Sequence, residues 1–118
     1  MSVAFCETGD TRVADPEEGL HLYRIAQEAL NNAARHGGAR KVTMVLNKSA
    51  DSVRLAVADD GKGMPSSPDD ARGMGLDSMR YRAHALGGEL KIDSHPSEGT
   101  VVSCEIPNRP LRPATPAS

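Results

Sequence analysis

The stretch best suited to chemistry is residues 57–64, which read Val-Ala-Asp-Asp-Gly-Lys-Gly-Met. An apolar alternation leads into it and predicts a half-buried strand that ends at Asp59. A carboxylate at a strand end is held rigidly, and Gly61 and Gly63 can adopt positive φ and let another group approach the backbone closely. A fixed acceptor beside bare backbone suits the edge of a flat polar ring such as adenine. Taken alone, the stretch fits an ordinary Asp-Gly hairpin turn equally well.

Two further glycine motifs follow downstream. Residues 73–76, Gly-Met-Gly-Leu, open a predicted helix, where backbone N–H groups and the helix dipole favour phosphate. A flexible hinge is the alternative for this glycine pair. Near the end of the chain, Gly99 and Thr100 open the last predicted strand. Thr100 either bonds to Asp59 or to a water at the edge of the base, or is simply a β-branched strand residue that follows a turn.

A predicted helix over residues 16–36 carries Glu28 and Asn32, which are four residues apart and therefore lie on one face. Asn32 offers a neutral oxygen, a suitable ligand for Mg²⁺, which keeps most of its waters in proteins. At 3.6 residues per turn the pair projects from the polar side of the helix, opposite a broad apolar arc. That arc consists of Leu22, Ile25, Ala26, Ala29, Leu30 and Ala33. For the pair on its own, a solvated surface face is the alternative.

Two helices and about five strands must position these residues. Strands are predicted around residues 3–6, 41–46, 53–58, 90–92 and 101–106, and helices over 16–36, with Asp15 as N-cap, and 76–86. Residues 63–73 contain prolines, serines and aspartates and are predicted to form an irregular, mobile loop. Antiparallel hairpins with two helices predict an α+β fold, a two-layer sandwich with the helices packed on one face of a mixed, mostly antiparallel sheet.

Taken in order, these four motifs resemble the nucleotide-binding boxes of the ATPase superfamily that joins gyrase, the heat-shock chaperone, histidine kinases and mismatch-repair ATPases, the Bergerat fold. Within it, residues 23–36, Tyr-Arg-Ile-Ala-Gln-Glu-Ala-Leu-Asn-Asn-Ala-Ala-Arg-His, look like the catalytic domain of histidine kinases of the nitrate-sensor type. The resemblance implies that residues 1–107 form an ATP-binding catalytic domain. Residues 108–118 contain three prolines and almost no core-forming residues, so we expect a disordered tail there.

The resemblance also implies a role for each candidate residue. Asn32 holds Mg²⁺, and Asp59 accepts a hydrogen bond from the exocyclic amine of adenine. Glu28 orients the reacting water or the metal shell, or acts as the general base, as in relatives that hydrolyse ATP. Arg35 either meets phosphate oxygens or stabilises the helix C-terminus, and His36 either contacts nucleotide or is an ordinary terminal residue. The residues expected to bind the ATP cofactor are Asn32, Arg35, His36, Asp59, Gly61, Gly63, Met64, Gly73, Met74, Gly75, Leu76 and Thr100.

In function, the resemblance implies an enzyme domain of a two-component sensor kinase that transfers the γ-phosphate of Mg-ATP to a histidine. The phosphoacceptor histidine of this subclass is followed by Asp or Glu, whereas the four histidines here are followed by Leu, Gly, Ala and Pro. We therefore expect the acceptor to lie on a dimerisation domain absent from this chain, so that the isolated chain does not autophosphorylate. The response regulator and any membrane attachment are expected to engage other segments of the full-length protein.

Two alternatives to this function stay open. One is an anti-sigma-factor serine kinase of the same fold. Two features disfavour it: the sequence Gln-Glu-Ala-Leu-Asn-Asn at residues 27–32, and the short loop rich in proline and serine. The other is a nucleotide-sensing or protein-interaction module that no longer catalyses, which the intact motifs disfavour. Mg-dependent ATP binding distinguishes most of these readings.

The amino-acid composition further limits the possible core, binding partners and cellular location of the protein. The 118 residues suit one domain, and a chain with no Trp, one Phe and two Tyr needs an aliphatic core. A net charge of −2 without a Lys/Arg run excludes an electrostatic case for nucleic acid. No apolar stretch approaches the ~20 residues of a membrane span, and there is no signal peptide, so a cytoplasmic location is expected. Cys6 and Cys104 are expected to be reduced thiols, a disulfide between the first and last strands being the alternative.

Overall fold

Five strands and two helices make up residues 1–9, 16–65 and 73–107, the part of the chain that the computed structural model describes. In chain order the elements are β1 (Ser2–Gly9), α1 (Pro16–Asn32), β2 (Lys41–Lys48), β3 (Ser52–Asp59), α2 (Leu76–Ala85), β4 (Glu89–His95) and β5 (Gly99–Pro107). Asp15, the predicted N-cap, lies outside the described residues. So do residues 66–72 of the predicted mobile loop and the predicted tail, 108–118.

The strands form a single sheet in the order β1-β2-β3-β5-β4. β1 and β2 are parallel because α1 connects them as a crossover, whereas β2–β3, β3–β5 and β4–β5 are antiparallel pairs. β2–β3 and β4–β5 are hairpins with short connections at the predicted turns. The predicted α+β sandwich with a mixed, mostly antiparallel sheet is confirmed.

The core lies between the helices and one face of the sheet. Alternate residues of β3 are buried, as its apolar alternation predicted, and α1 packs its apolar arc over β3 while α2 packs over β4 and β5. Burial of each large aliphatic side chain contributes about 1.5–3 kcal/mol. The buried apolar residues include Leu22, Ile25, Ala26, Ala29, Ala33, Val42, Val53, Leu55, Val57, Met79, Ala83, Val102, Cys104 and Ile106.

The first helix ends differently from the prediction. The α-helical part stops at Asn32, and a π-helical turn over Ala33–Gly37 replaces the regular helix expected to His36. Gly38 then adopts a left-handed conformation, with φ of +60°, and its N–H donates to the Ala33 carbonyl. This wider turn connects the C-terminal end of α1 to the segment that leads into β2.

Asn32 is buried, so the alternative of a solvated surface face does not apply to it. Its side chain is buried, at 9% exposed, while its neighbour Asn31 is exposed. The reason is a tertiary contact: Asn32 Nδ2 donates to the Met74 carbonyl oxygen at 2.7 Å, from a residue 42 positions later in the chain. Helical spacing orders the residues around α1 but does not tell which segment will cover them.

Both cysteines are free thiols in the structure. Cys6 is exposed on β1, and Cys104 is buried on β5 with two strands between them, so the alternative of a disulfide is not realised. Burial raises the pKa of the Cys104 thiol to about 11, which keeps it protonated at neutral pH. Among the described residues there is no cluster of three His, Cys, Asp or Glu able to hold a metal, and no helix with the length and apolarity of a membrane span.

Candidate functional site

A small cavity lies between α1, the end of β3, the first residues of β5 and the start of α2. Seven of the predicted nucleotide contacts meet in its wall: Asn32, Asp59, Gly63, Met64, Met74, Leu76 and Thr100. Three residues that the sequence did not predict as nucleotide contacts complete the lining: Ala29, Gly37 and Val102. Segments from four separate parts of the chain therefore converge here, in the arrangement that the motif order suggested.

Asp59 is oriented by two backbone amides. Its Oδ1 accepts from the Gly61 N–H at 2.8 Å and from the Thr100 N–H at 3.3 Å. Both bonds use the same carboxylate oxygen, so they hold the group in one orientation and leave Oδ2 available as an acceptor. The predicted bond between Thr100 and Asp59 is thus made by the Thr100 backbone, whereas the Thr100 hydroxyl turns elsewhere.

The first glycine pair serves two different purposes. Gly63 has φ of +87°, the positive value expected of it. Gly61 is not among the positive-φ residues, so that part of the expectation was wrong. Gly61 is needed for close approach instead: a Cβ on it would lie 2.6 Å from the Gly37 carbonyl oxygen, which accepts the Lys62 N–H at 3.0 Å. The loop after β3 is thereby fastened to the end of the first helix.

Ser94 is a structural part of the site that the sequence did not point to. Its Oγ accepts from the Met64 N–H at 2.6 Å and from the Thr100 hydroxyl at 3.3 Å. Ser94 therefore joins the loop after β3 to the β4–β5 hairpin. Thr100, which bonds to Ser94 through its hydroxyl, is also the residue whose backbone amide donates to Asp59. A hairpin register counted back from the turn pairs Ser94 with Thr100, and this was the one signal available.

The second glycine motif packs against α1. Met74 is buried, at 1% exposed, and its carbonyl accepts from Asn32. Gly75, with φ of +72°, immediately precedes α2, and a Cβ there would lie 2.6 Å from the carboxyl carbon of Glu28. The half-buried Glu28 is therefore beside Gly75 and not in the cavity wall. Gly73 is exposed and also lies outside the wall.

Arg35 and His36 are predicted contacts that the structure leaves outside the cavity wall. Both are exposed on the π-helical turn that follows Asn32, and neither lines the cavity. Their side chains lie at the surface near the C-terminal end of the helix, where a positive charge interacts favourably with the helix dipole. The alternative stated for Arg35, stabilisation of this helix end, agrees with that position.

Asp60, the second carboxylate of the Asp-Asp pair, has a separate role. Its Oδ1 accepts from the Lys41 N–H at 2.9 Å and from the Arg40 N–H at 2.8 Å, at the start of β2. These bonds from Lys41 and Arg40 hold the pKa of the Asp60 carboxyl below its ordinary value of 3.8. One aspartate thus faces the cavity, and the next fixes the adjacent strand.

The chemistry of the wall fits a purine base and a hydrated cation. Ala29, Leu76 and Val102 supply apolar walls, and Asp59 supplies one fixed acceptor in the lining, the pattern of a small-molecule pocket with few polar groups. Asn32 is a single neutral oxygen donor, which suits Mg²⁺ because that ion retains most of its waters and takes its other ligands from phosphate. The residues present therefore fit ATP with Mg²⁺.

A protein-family model matches residues 17–110 of the chain. Its description is "Histidine kinase-, DNA gyrase B-, and HSP90-like ATPase". The match covers α1 from its second residue, the cavity and every predicted contact residue.

Curated proteins with similar sequences are sensor kinases. The chain is 40% identical over 98 residues to the sensor histidine kinase LiaS of Bacillus subtilis, covering 83% of the chain and 27% of that protein. It is 37% identical over 106 residues to the sensor histidine kinase LnrJ of the same organism, covering 90% and 26%. It is 36% identical over 100 residues to the signal transduction histidine-protein kinase/phosphatase UhpB of Salmonella typhimurium, covering 85% and 19%. The chain thus spans about a quarter or less of these relatives' length.

Solved structures with the same fold include two from kinases. The histidine kinase domain of the blue-light activated histidine kinase EL346 of Erythrobacter litoralis superposes with a TM-score of 0.68 at 25% identity, over 89% of this chain and 51% of that one. The ATP binding domain of PrrB from Mycobacterium tuberculosis gives 0.64 at 26% identity, over 77% and 69%.

Proposed function

Since the chain belongs to the family of histidine kinase-, DNA gyrase B- and HSP90-like ATPases and is an ATP-binding domain of the sensor-kinase type, we propose that it transfers the γ-phosphate of Mg-ATP to a histidine on another domain. The acceptor belongs to a dimerisation domain of the same kinase, and the phosphate passes from there to a response regulator. The domain acts in the cytoplasm. Within the family we assign the domain to the nitrate-sensor-type subclass, on the basis of the sequence of residues 23–36.

One observation supports this function above the others: the Asp59 carboxylate is held by the Gly61 and Thr100 amides in the wall of the cavity. A carboxylate fixed in this way accepts the exocyclic amine of adenine without reorganising. Guanine carries a carbonyl at the corresponding ring position, which would face the carboxylate as a second acceptor. The site is therefore specific for adenine over guanine.

Each of the other residues has a role in the proposed reaction. Asn32 supplies an oxygen ligand to Mg²⁺, which neutralises phosphate charge when bound. Gly73 and Gly75 offer backbone N–H groups to phosphate at the start of α2. Glu28, beside Gly75, orients the metal shell or the reacting group. Arg35 meets phosphate oxygens only if its side chain folds back toward the cavity from the surface.

The decisive measurement is a calorimetric titration of the chain with ATP, with and without Mg²⁺, and with GTP. Mg-dependent binding of ATP with much weaker binding of GTP is expected. Labelled Mg-ATP should then leave no acid-labile phosphohistidine on the chain alone, and should label a dimerisation segment from the full-length protein once that segment is added. Failure to bind ATP would contradict the function. Binding without transfer to that segment would indicate a nucleotide-sensing module instead.

A further inference from the structure

We propose that Asn32 is a positioning residue as well as a metal ligand. Its amide nitrogen holds the Met74 carbonyl and so fixes the start of α2, while its amide oxygen remains available to Mg²⁺. The metal half of this statement rests on the proposed function, whereas the positioning half concerns the nucleotide-free chain. Both halves follow from one side chain with two different polar atoms.

The bond between Asn32 and Met74 has the features of a structural tie. The Nδ2–oxygen distance is 2.7 Å, at the short end for such a bond. Asn32 is 9% exposed and Met74 is 1% exposed, so water has little access to replace the bond. When a buried carbonyl loses such a donor, the desolvation of its oxygen is no longer compensated and the folded state is destabilised.

Met74 connects this tie to the second helix. The next residue, Gly75, accepts the Met79 N–H at 2.9 Å, the bond that closes the first turn of α2. Met79 is itself a core residue, at 1% exposed. Asn32 therefore links α1 to the start of α2, where the proposed phosphate contacts lie.

The tie explains why this position holds asparagine. An aspartate would be the stronger ligand for a hard cation because it carries a charge, but a carboxylate has only acceptors. In Asn32→Asp, a carboxylate oxygen would replace the Nδ2 atom that now lies 2.7 Å from the Met74 carbonyl oxygen. Two acceptors would then face each other without a proton between them. Of the two side chains, only the amide offers a donor to Met74 and a separate oxygen acceptor to the metal.

The chain supplies its own matched control. Asn31 precedes Asn32 on the same helix and is exposed, so Asn31→Asp adds the same charge without touching Met74. Hydrogen exchange is measured on nucleotide-free wild type, Asn32→Asp, Asn32→Ala and Asn31→Asp. Amides of residues 74–80 should exchange roughly tenfold faster in both Asn32 variants, a factor that corresponds to about 1.4 kcal/mol. Asn31→Asp should match wild type, and residues 53–57 of β3 should stay protected in all four.

A second measurement uses the wild type alone. In the nucleotide-free chain, the side-chain amide protons of Asn32 should exchange more slowly than those of Asn31 in a nuclear magnetic resonance experiment. Equal protection of residues 74–80 in wild type and Asn32→Asp would overturn the positioning role, and so would equal exchange of the two side-chain amides. If an Asn32 variant does not fold, this comparison still decides the matter.

Nucleotide titrations separate this inference from the proposed function. Asn32→Asp should keep a Mg²⁺-dependent component of ATP affinity, because an oxygen ligand remains, and Asn32→Ala should lose it. Loss of that component in both variants would overturn the division of labour between the two amide atoms. Absence of Mg-ATP binding in the wild type would instead contradict the proposed function and leave the exchange results on the nucleotide-free chain as they stand.

Discussion

The Thr100 backbone N–H donates to Asp59 Oδ1 at 3.3 Å, across the junction between the end of β3 and the start of β5. Asp59 is therefore held from two directions, since the Gly61 amide binds the same oxygen from its own loop. Close packing enforces the arrangement: a Cβ on Gly99 would lie 1.9 Å from the Asp59 carbonyl oxygen. Glycine at position 99 therefore allows the start of β5 to lie close enough to the end of β3 for the Thr100 amide to reach the Asp59 carboxylate.

Substitution of Asp59 should remove adenine recognition. Asp59→Asn keeps an acceptor for the two amides but replaces the other carboxylate oxygen with an NH₂ donor, so the fold should survive. Loss of a hydrogen bond to a charged group costs about 1.5–3 kcal/mol, which lowers ATP affinity roughly ten- to a hundredfold. Asp59→Ala should weaken binding at least as much. Calorimetry with Mg-ATP measures both variants.

The control for this prediction is Asp51→Ala, an exposed carboxylate just before the other end of β3. It should bind ATP as the wild type does. Wild-type affinity in Asp59→Ala or Asp59→Asn would mean that adenine is not recognised by this carboxylate.

Removal of the Ser94 hydroxyl should loosen the site from the side of the β4–β5 hairpin. Ser94→Ala leaves the Met64 N–H and the Thr100 hydroxyl without their acceptor. Loss of an acceptor for partly buried donors costs about 1–3 kcal/mol in the free energy of unfolding, measured by urea denaturation. ATP affinity should fall as well, because Thr100 and Met64 both line the cavity.

Ser78→Ala is the control for Ser94, since Ser78 is exposed on α2. It should change neither stability nor affinity by more than a few tenths of a kcal/mol. A Ser94→Ala variant as stable and as tight-binding as Ser78→Ala would show that water replaces the serine and that the contact has no positioning role.

Local sequence patterns were sufficient for the elements and for part of the site. The alternation that ends at Asp59 and the helical spacing of Glu28 depend on near neighbours along the chain, and both predict the observed strand and helix. The glycine positions before α2 were readable for the same reason, because a helix start is a local event.

Contacts between distant segments were beyond those patterns. Asn32 is buried by a residue 42 positions later, and Ser94 reaches Met64 across 30 positions. The division of labour between Asp59 and Asp60 depends on which neighbouring strand each faces, since Asp60 bonds to the start of β2. Identity of the residue types alone does not distinguish the two aspartates.

Gly75→Ala should displace Glu28. The added Cβ would lie 2.6 Å from two carbons of the Glu28 side chain, and the φ of +72° is unfavourable for alanine by itself. The conformational part costs about 1–2 kcal/mol. Gly38→Ala measures that part alone, because Gly38 has φ of +60° and nothing within 4 Å of its added Cβ.

A double-mutant cycle isolates the contact between Gly75 and Glu28. In a Glu28→Ala background, the loss of stability caused by Gly75→Ala should shrink to the value for Gly38→Ala, since the side chain it strikes is gone. Urea denaturation of the four variants gives the coupling free energy. A coupling of zero would show that Glu28 moves aside freely and that Gly75 is required for its backbone conformation only.

Asp60 should make stability depend on pH in acid. Its pKa is lowered in the folded state by the Lys41 and Arg40 amides, from an ordinary value of 3.8. A lowered carboxyl pKa contributes stability that is present above the unfolded-state pKa and is lost as the pH falls through the folded-state pKa. Asp60→Asn keeps an acceptor but cannot be charged, so it should be less stable than wild type at neutral pH. The difference in urea midpoint between Asp60→Asn and wild type should narrow steadily below about pH 4 and vanish once Asp60 is protonated in wild type.

Asp51→Asn, at the exposed β2–β3 connection, measures what the loss of one surface carboxylate does by itself. A constant gap between Asp60→Asn and wild type from neutral to acid pH would mean that the strand-fixing bonds do not depend on the charge of Asp60.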